Sequence, residues 1–322
     1  MNNDTNNANN YRHLFGPVPS RRLGISLGID LVPPKTCNYN CIYCECGRTT
    51  SLTAKRREYV PTAEVTEELD SYLSASPRLD YITFSGSGEP TLHSGTGEIC
   101  RYIKSKFPGY RIALLTNGGL FSDKSVRDEV MDMDVIIPSL DSATEAGFMK
   151  IDRPCSSVVI DEIIFGLAEL RKEFSGEIWL EIFVVPGLND TEEELAALSE
   201  AVHRIAPDRV QLNTLDRPGV VDWIRAATPE EMERFAAGLG YEGTEITGRP
   251  SSRSGIGSFS GDAVEQIMQT IRRRPCTAGD LSSVLGMHKN EVNKYIQLLI
   301  EEGRIREKRE NRGIFFRISE EN

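Results

Sequence analysis

The chain has 322 residues, a formal net charge of -11, 39% hydrophobic and 7% aromatic residues. That is enough for one large domain and a small one, each able to bury a core. No apolar run approaches the ~20 residues of a membrane span, the Asn-rich N-terminus carries no leader pattern, and the acidic average is not that of a nucleic-acid binder; a cytoplasmic protein is expected.

Residues 1–10 (MNNDTNNANN) are low-complexity and are expected to form a disordered tail. The stretch from Gly16 to Gly28 is dense in Gly, Pro and Arg, and its adjacent Arg21 and Arg22 suit a structural ion pair more than an anion site. Short apolar runs then alternate with amphipathic stretches. Strands are expected at 25–31, 81–85, 111–116, 135–138, 178–185 and 209–212. Helices are expected at 63–73, 97–107, 122–131, 158–174 and 191–205, the last opening on Asn189-Asp190-Thr191 with Glu193 and Glu194 behind it, an N-terminal capping signature. Six strand–helix repeats mean an α/β fold with a parallel sheet, either a partial (β/α)6 TIM-like barrel or an open doubly wound sheet.

A further helix opens at Thr228-Pro229-Glu230-Glu231. The core domain is expected to span 11–240, a Gly/Ser-rich linker 241–261, and a small domain 262–322. That small domain reads as helices at 262–273, 277–285 and 289–302, the last ending at Gly303, and two strands at 304–308 and 313–318. Three helices and a hairpin make a winged helix-turn-helix. Residues 262–322 carry 11 Lys+Arg against 10 Asp+Glu, while the rest carries 26 against 38.

Seven cysteines stand at 37, 41, 44, 46, 100, 155 and 276, four of them within ten residues. A disulfide framework spreads its cysteines more evenly, so the cluster points to metal or cofactor chemistry. Cys37-Asn-Tyr-Asn-Cys41-Ile-Tyr-Cys44 can wrap one [4Fe-4S] cube with three thiolates, leaving one iron open. The competing reading is a zinc site with Cys46 as fourth ligand, for which Cys44-Glu45-Cys46 is awkwardly tight. Cys100 sits in a helical pattern and reads as core. Cys155 follows Asp152-Arg153-Pro154 on a loop facing the same side.

In parallel α/β folds functional residues gather on the loops after the strands. The cysteine loop follows the first strand, Gly86-Ser87-Gly88-Glu89-Pro90 the second, Thr116-Asn117-Gly118-Gly119 the third, Ser139-Leu140-Asp141 the fourth, Pro186–Asp190 the fifth and Asn213 the sixth. Ser139 and Asp141 can hydrogen-bond a ligand, or Asp141 can cap a helix; Asn117-Gly118 equally suits a turn.

The C-x3-C-x2-C spacing with Tyr43 before the last cysteine resembles the signature of the radical S-adenosylmethionine superfamily, over about residues 12–215. The resemblance implies that the open iron chelates the amino and carboxylate groups of S-adenosyl-L-methionine. A one-electron donor of the flavodoxin or ferredoxin type then reduces the cluster, the C–S bond breaks, and a 5′-deoxyadenosyl radical abstracts hydrogen. Gly88-Glu89-Pro90 resembles the family's Gly-Gly-Glu motif with Ser87 for the first Gly, which implies Gly88 for close backbone approach and Glu89 as acceptor for the ammonium group. Tyr43, Asn117, Ser139, Asp141 and Asn213 are then expected around the cofactor. With GIDLVPPKTC and Gly47-Arg48-Thr49-Thr50, the first segment resembles uncharacterised iron–sulfur oxidoreductases grouped with tRNA wyosine-base synthases. No second cysteine triplet accompanies it, so wyosine activity does not carry over. RNA, protein and small-molecule substrates stay open. Lys289, Lys294 and the wing residues Arg304, Arg306, Lys308, Arg309 and Arg312 leave the small domain open to nucleic acid, to protein docking or to dimerisation. A cluster-bearing DNA-binding regulator is the competing function.

Overall fold

The computed structural model describes residues 11–20, 22–216, 219–247, 263–285, 287, 289–310 and 312–319. The expected N-terminal tail, Arg21 and most of the expected linker lie outside the described residues, as do the side chains of Lys289 and Lys294.

The strands are β1 (Leu14–Ser20), β2 (Gly24–Ile29), β3 (Thr36–Cys37), β4 (Ser51–Leu52), β5 (Tyr81–Phe84), β6 (Ile112–Thr116), β7 (Val135–Pro138), β8 (Glu177–Val184), β9 (Arg209–Thr214) and β10 (Thr244–Ile246). Between them run the helices α1 (Thr62–Leu73), α2 (Thr96–Lys106), α3 (Lys124–Glu129), α4 (Glu145–Ile151), α5 (Ile160–Glu173), α6 (Glu192–Ile205) and α7 (Pro229–Leu239). The main sheet has the order β1-β2-β5-β6-β7-β8-β9-β10. All neighbours pair in parallel except β1, which runs antiparallel to β2. Six of the strands are those expected from the sequence; β1 and β10 extend the sheet at its two edges, and α4 is also additional.

The strands bury both faces, as parallel sheets covered by helices do. Leu27, Ile82, Leu114, Ile136, Leu180 and Leu212 pack with the helices in the main core. Alternate residues face the other, concave side, where Leu23, Tyr81, Ala113, Val135, Ile137 and Trp179 form a floor. Arg22 and Glu181, both mostly buried, make the ion pair expected of the first segment there. Thr191 caps α6 by accepting from Glu194 N–H at 3.3 Å. The Glu194 carboxylate does not fold back onto the cap; it accepts from Ser142 Oγ (2.6 Å), Ala143 N (2.5 Å) and Thr144 Oγ1 (2.6 Å), tying α6 to the start of α4.

The C-terminal unit comprises α8 (Ala263–Arg273), β11 (Cys276–Thr277), α9 (Ala278–Leu285), α10 (Lys289–Glu301), β12 (Ile305–Glu310) and β13 (Gly313–Ile318). Its three strands form an antiparallel sheet of order β11-β13-β12. Ile267, Ile271, Leu281, Val292, Leu299 and Phe316 form a core of its own.

Candidate functional site

The site is built on the loops at the carboxyl ends of β2, β5, β6, β7 and β8. The cysteine loop leaves β2 and is pinned by the short parallel pairing of β3 with β4. Lys35, at φ +62°, turns the chain into it; a non-glycine residue there needs support from its surroundings. That support is the Lys35 N–H bond to Ser87 O (3.2 Å) and two bonds from Thr50 and Ser51 amides onto Lys35 O. Cys37, Cys41, Cys44 and Cys46 are free thiols of intermediate exposure.

Their electrostatics differ. Burial pushes the Cys37 thiol up to about 12, with the Glu89 charge adding to it. Burial also raises Cys41 well above the ordinary range. Cys44 falls to about 6, first because the Cys46 thiol donates to it and then because Lys35 Nζ lies 3.3 Å from its sulfur. Cys46 is raised correspondingly by the same bond. Thiols held protonated by burial become ligands when a metal replaces the proton. Among the described residues no three His, Cys, Asp or Glu side chains converge on a single ion.

Glu89 is 2% exposed. Its carboxylate accepts from Thr91 N (3.0 Å), Thr91 Oγ1 (2.6 Å), Thr116 Oγ1 (2.6 Å) and Asn117 N (2.8 Å). Burial still raises its pKa despite these donors. The carboxylate expected to receive an ammonium group is therefore engaged in joining the β5 loop to the β6 loop. At Gly88 a Cβ would run into the Thr36 carbonyl and the Val32 side chain, so the absence of a side chain lets this loop pack against the cysteine loop. Gly86, at φ +155°, meets Asp30 in the same way.

Asn117 makes the turn contact and also borders the cysteine loop. Its Oδ1 accepts from Gly119 N at 3.0 Å, a turn contact, while Nδ2 reaches Asn38 Oδ1 (2.6 Å) and lies 3.6 Å from Cys37 Sγ. Asp141 does not cap a helix; Thr144 caps α4. Asp141 Oδ1 accepts from Phe183 N (2.6 Å) and Oδ2 from the Tyr43 hydroxyl. Burial raises Asp141 to about 6, and Asp152, which faces both Asp141 and Cys41, rises well above the ordinary carboxylate range through burial and then the Asp141 charge. The Tyr43 ring stacks on Phe183 at 4.0 Å. Ser139 lines a small cavity with Tyr39, Tyr43, Asn117, Asp141 and Asp152.

Asn213 stands apart. Its Nδ2 donates to Glu181 Oε1 at 2.7 Å and its Oδ1 accepts from Thr247, so it belongs to the Arg22–Glu181 network on the concave face. Asn189, on the fifth loop, is fully buried and donates to Asp141 O and Phe183 O, both at 2.8 Å, which makes it a brace. Cys155 donates its amide to Asn38 O at 2.8 Å and packs at the edge of the core; Cys100 is fully buried in it. The residues that sequence reasoning missed are Asp30, Lys35, Asn38 and Asp152. Lys35 and Asn38 border Cys37 and carried that signal; Asp30 and Asp152 reach the site only through the fold.

A mostly parallel α/β barrel segment with a cysteine triplet at the carboxyl ends of its strands defines an iron–sulfur enzyme of the radical type. The family model of the Radical SAM superfamily matches residues 31–199. The chain belongs to that superfamily, and its cofactors are a [4Fe-4S] cluster and S-adenosyl-L-methionine. It is similar to a protein described as "GTPase Obg" from Brachyspira hyodysenteriae, 35% identical over 95% of this chain and 45% of that protein. It is similar to a UPF0026 protein of Methanocaldococcus jannaschii, 32% identical over 77% of this chain and 76% of that one. The crystal structure of a radical SAM methyltransferase from Sphaerobacter thermophilus shares the fold at 20% identity, TM-score 0.53, over 70% of this chain and 65% of that one. The chain thus spans about half the length of the first relative and under two thirds of that structure. Among the described residues no helix is long and apolar enough to cross a membrane.

Proposed function

We propose that Cys37, Cys41 and Cys44 ligate the cluster, and that the loops bearing residues 86–90, Asn117, Ser139, Asp141 and Tyr43 form the S-adenosylmethionine pocket beside it. When bound, the pair supplies a 5′-deoxyadenosyl radical that takes a hydrogen atom from the substrate. The observation that carries this reading is the bonding of the cysteine loop to the β5 and β6 loops: Asn117 Nδ2 lies 3.6 Å from Cys37 Sγ while its amide is held by Glu89. Glu89 and Gly88 keep that loop in register beside the amino acid end of the cofactor. Asp141 fixes Tyr43 beside the adenine end. Asn213 and Glu181 face the substrate on the concave side.

The substrate is RNA, a protein or a small molecule, and the electron donor is of the flavodoxin or ferredoxin type. The C-terminal unit has the element order of a winged helix, and 11–240 and 262–322 act as core and accessory domains of a cytoplasmic protein. The likeness of the first segment to the subgroup grouped with wyosine-base synthases fits an RNA substrate. A DNA-binding regulator is disfavoured because wing cations are already engaged: Lys308 with Asp222 at 2.5 Å, and Arg312 with Asp280 at 2.8 Å and Asp216 at 3.4 Å.

The test is anaerobic reconstitution with iron and sulfide, reduction, and chromatography for 5′-deoxyadenosine. Cys→Ala changes at 37, 41 or 44 each abolish the brown chromophore and the product. Undiminished 5′-deoxyadenosine from the triple variant would end the proposal.

A further inference from the structure

The main sheet is open, with β1 at one edge and β10 at the other. The C-terminal unit lies against β1: Val18 packs into the unit's core, and the Arg273 guanidinium sits 4.7 Å over the Phe15 ring. Phe15 is the register partner of Gly28, where any Cβ would fall into that ring. Leu27 and Ile29 point to the helix-covered core, so Phe15, and Arg273 with it, occupies the concave face. From the other side Lys308 pairs with Asp222 and Arg317 Nη2 reaches Gly219 O at 3.5 Å, both in the segment after β9. The unit therefore bridges the two sides of the opening.

On that concave face, two residues beyond Gly28, stands Asp30. Its Oδ2 accepts from Ser87 N at 3.2 Å and Ser87 Oγ at 3.1 Å. Ser87 O in turn receives the Lys35 amide, and Lys35 Nζ contacts Cys44. Among the described residues the other Asp30 oxygen, Oδ1, and Arg273 Nε are both buried without a hydrogen-bond partner. They belong to opposite charges within Coulombic reach, and Cys46 lies within reach of the same guanidinium. Buried unsatisfied groups of opposite sign call for an explanation, and a buried charge survives only with a countercharge.

We infer that Arg273, carried into the barrel by the C-terminal unit, is a positioning residue for the S-adenosylmethionine site, acting through Asp30 on the Ser87 segment. The inference rests on the reading of the 86–90 loop given above. It makes the unit a wall of the reaction chamber whose loss is felt in cofactor affinity. Burial favours the neutral form of Asp30 and the Arg273 charge opposes it. Removing the guanidinium weakens the carboxylate that holds the Ser87 amide, and the loop facing the cofactor loses its anchor.

The experiment is a double-mutant cycle on the reconstituted full-length holoenzyme, with S-adenosylmethionine as probe. Affinity is read by equilibrium dialysis and by the change in the electron paramagnetic resonance line of the reduced cluster; iron and sulfide content are measured alongside. R273A and D30N each weaken binding about tenfold at unchanged iron content, and the double variant is no worse than either single one, as expected for residues acting through one contact. Arg273→Lys recovers most of the loss. Arg272→Ala, exposed on the same helix and paired with Glu265, binds like the wild type. Wild-type affinity in R273A, or effects that multiply to about a hundredfold in the double variant, would overturn the inference. If R273A does not fold, D30N decides alone, and wild-type affinity there overturns it. A wild-type holoenzyme whose spectrum ignores S-adenosylmethionine refutes the underlying site reading, a result distinct from any of these.

Discussion

Replacing Glu89 separates a carboxylate that organises two loops from one that receives a ligand's ammonium group. Glu89→Ala removes the acceptor for two amides, of Thr91 and Asn117, and two hydroxyls, of Thr91 and Thr116. The hydroxyls can rotate toward other acceptors; the amides cannot. Each buried donor left unsatisfied costs about 1–3 kcal/mol. Relief from burying a charge offsets part of this, because burial already raises the pKa of Glu89. A net loss of about 2–4 kcal/mol is expected for the protein without cluster or cofactor. Glu89→Gln keeps an oxygen for Thr91 and Thr116 but turns an NH2 toward the Asn117 amide, so about 1–3 kcal/mol is expected. Urea denaturation of the cluster-free protein measures both. A Glu89→Ala variant within about 0.5 kcal/mol of wild type, the range of ordinary surface changes, refutes the loop-joining role and returns Glu89 to direct ligand contact.

Arg22→Ala leaves Glu181 largely buried without its cation; a loss of about 3–5 kcal/mol is expected, with Glu181→Gln restoring part of it in the same denaturation assay. Gly88→Ala forces a Cβ against the Thr36 carbonyl; an overpacking cost of about 1–3 kcal/mol and a fall in iron bound per chain on reconstitution check it. For Asp141 the folded pKa, about 6, lies above the ordinary 3.8. A folded state that holds its proton more tightly than the unfolded one loses stability as pH rises between the two values. Cluster-free protein is therefore expected to lose stability from about pH 4 to about pH 6 through this group, and Asp141→Asn flattens that slope; an unchanged slope in thermal melts counts against it.

The six strands that carry the site were legible because each is a short apolar run bounded by turn residues, and buried parallel strands need no more. The edge strand β1 was not, because Gly16, Pro17 and Pro19 read as a loop. Proline is tolerated at a sheet edge, and the edge is where that segment lies. The seven residues of α4 and the three of β10 are too short for periodicity to speak. At the site the spacing singled out the cysteines and the Gly-Ser-Gly-Glu-Pro turn as candidates, but not the hydrogen bonds that Glu89 accepts. Its partners Thr116 and Asn117 are 27 and 28 positions away, and only the pairing of β5 with β6 brings them together. Asp152 escaped notice for the same reason: nothing local relates it to Cys41 or Asp141.

The uneven charge of the chain acquires a physical meaning in the folded molecule. Residues 262–322 are near neutral while the rest carries 26 basic against 38 acidic residues. Read alone, basic residues bunched in a small domain suggest a polyanionic partner. In the fold three of them meet acidic residues of the barrel: Lys308 at Asp222, Arg312 at Asp216, Arg273 near Asp30. These contacts are not equivalent. Asp222 is 81% exposed, so its pair with Lys308 contributes little and fades with salt. Arg312 and Asp216 are about 17% and 14% exposed, and Arg273 lies in the barrel's own concave face, where charges are screened far less. Raising the ionic strength should thus loosen the rim of the junction before its centre. Any macromolecular substrate has to be taken up by surfaces other than Lys308 and Arg312, which the barrel already holds, or has to displace the barrel from them.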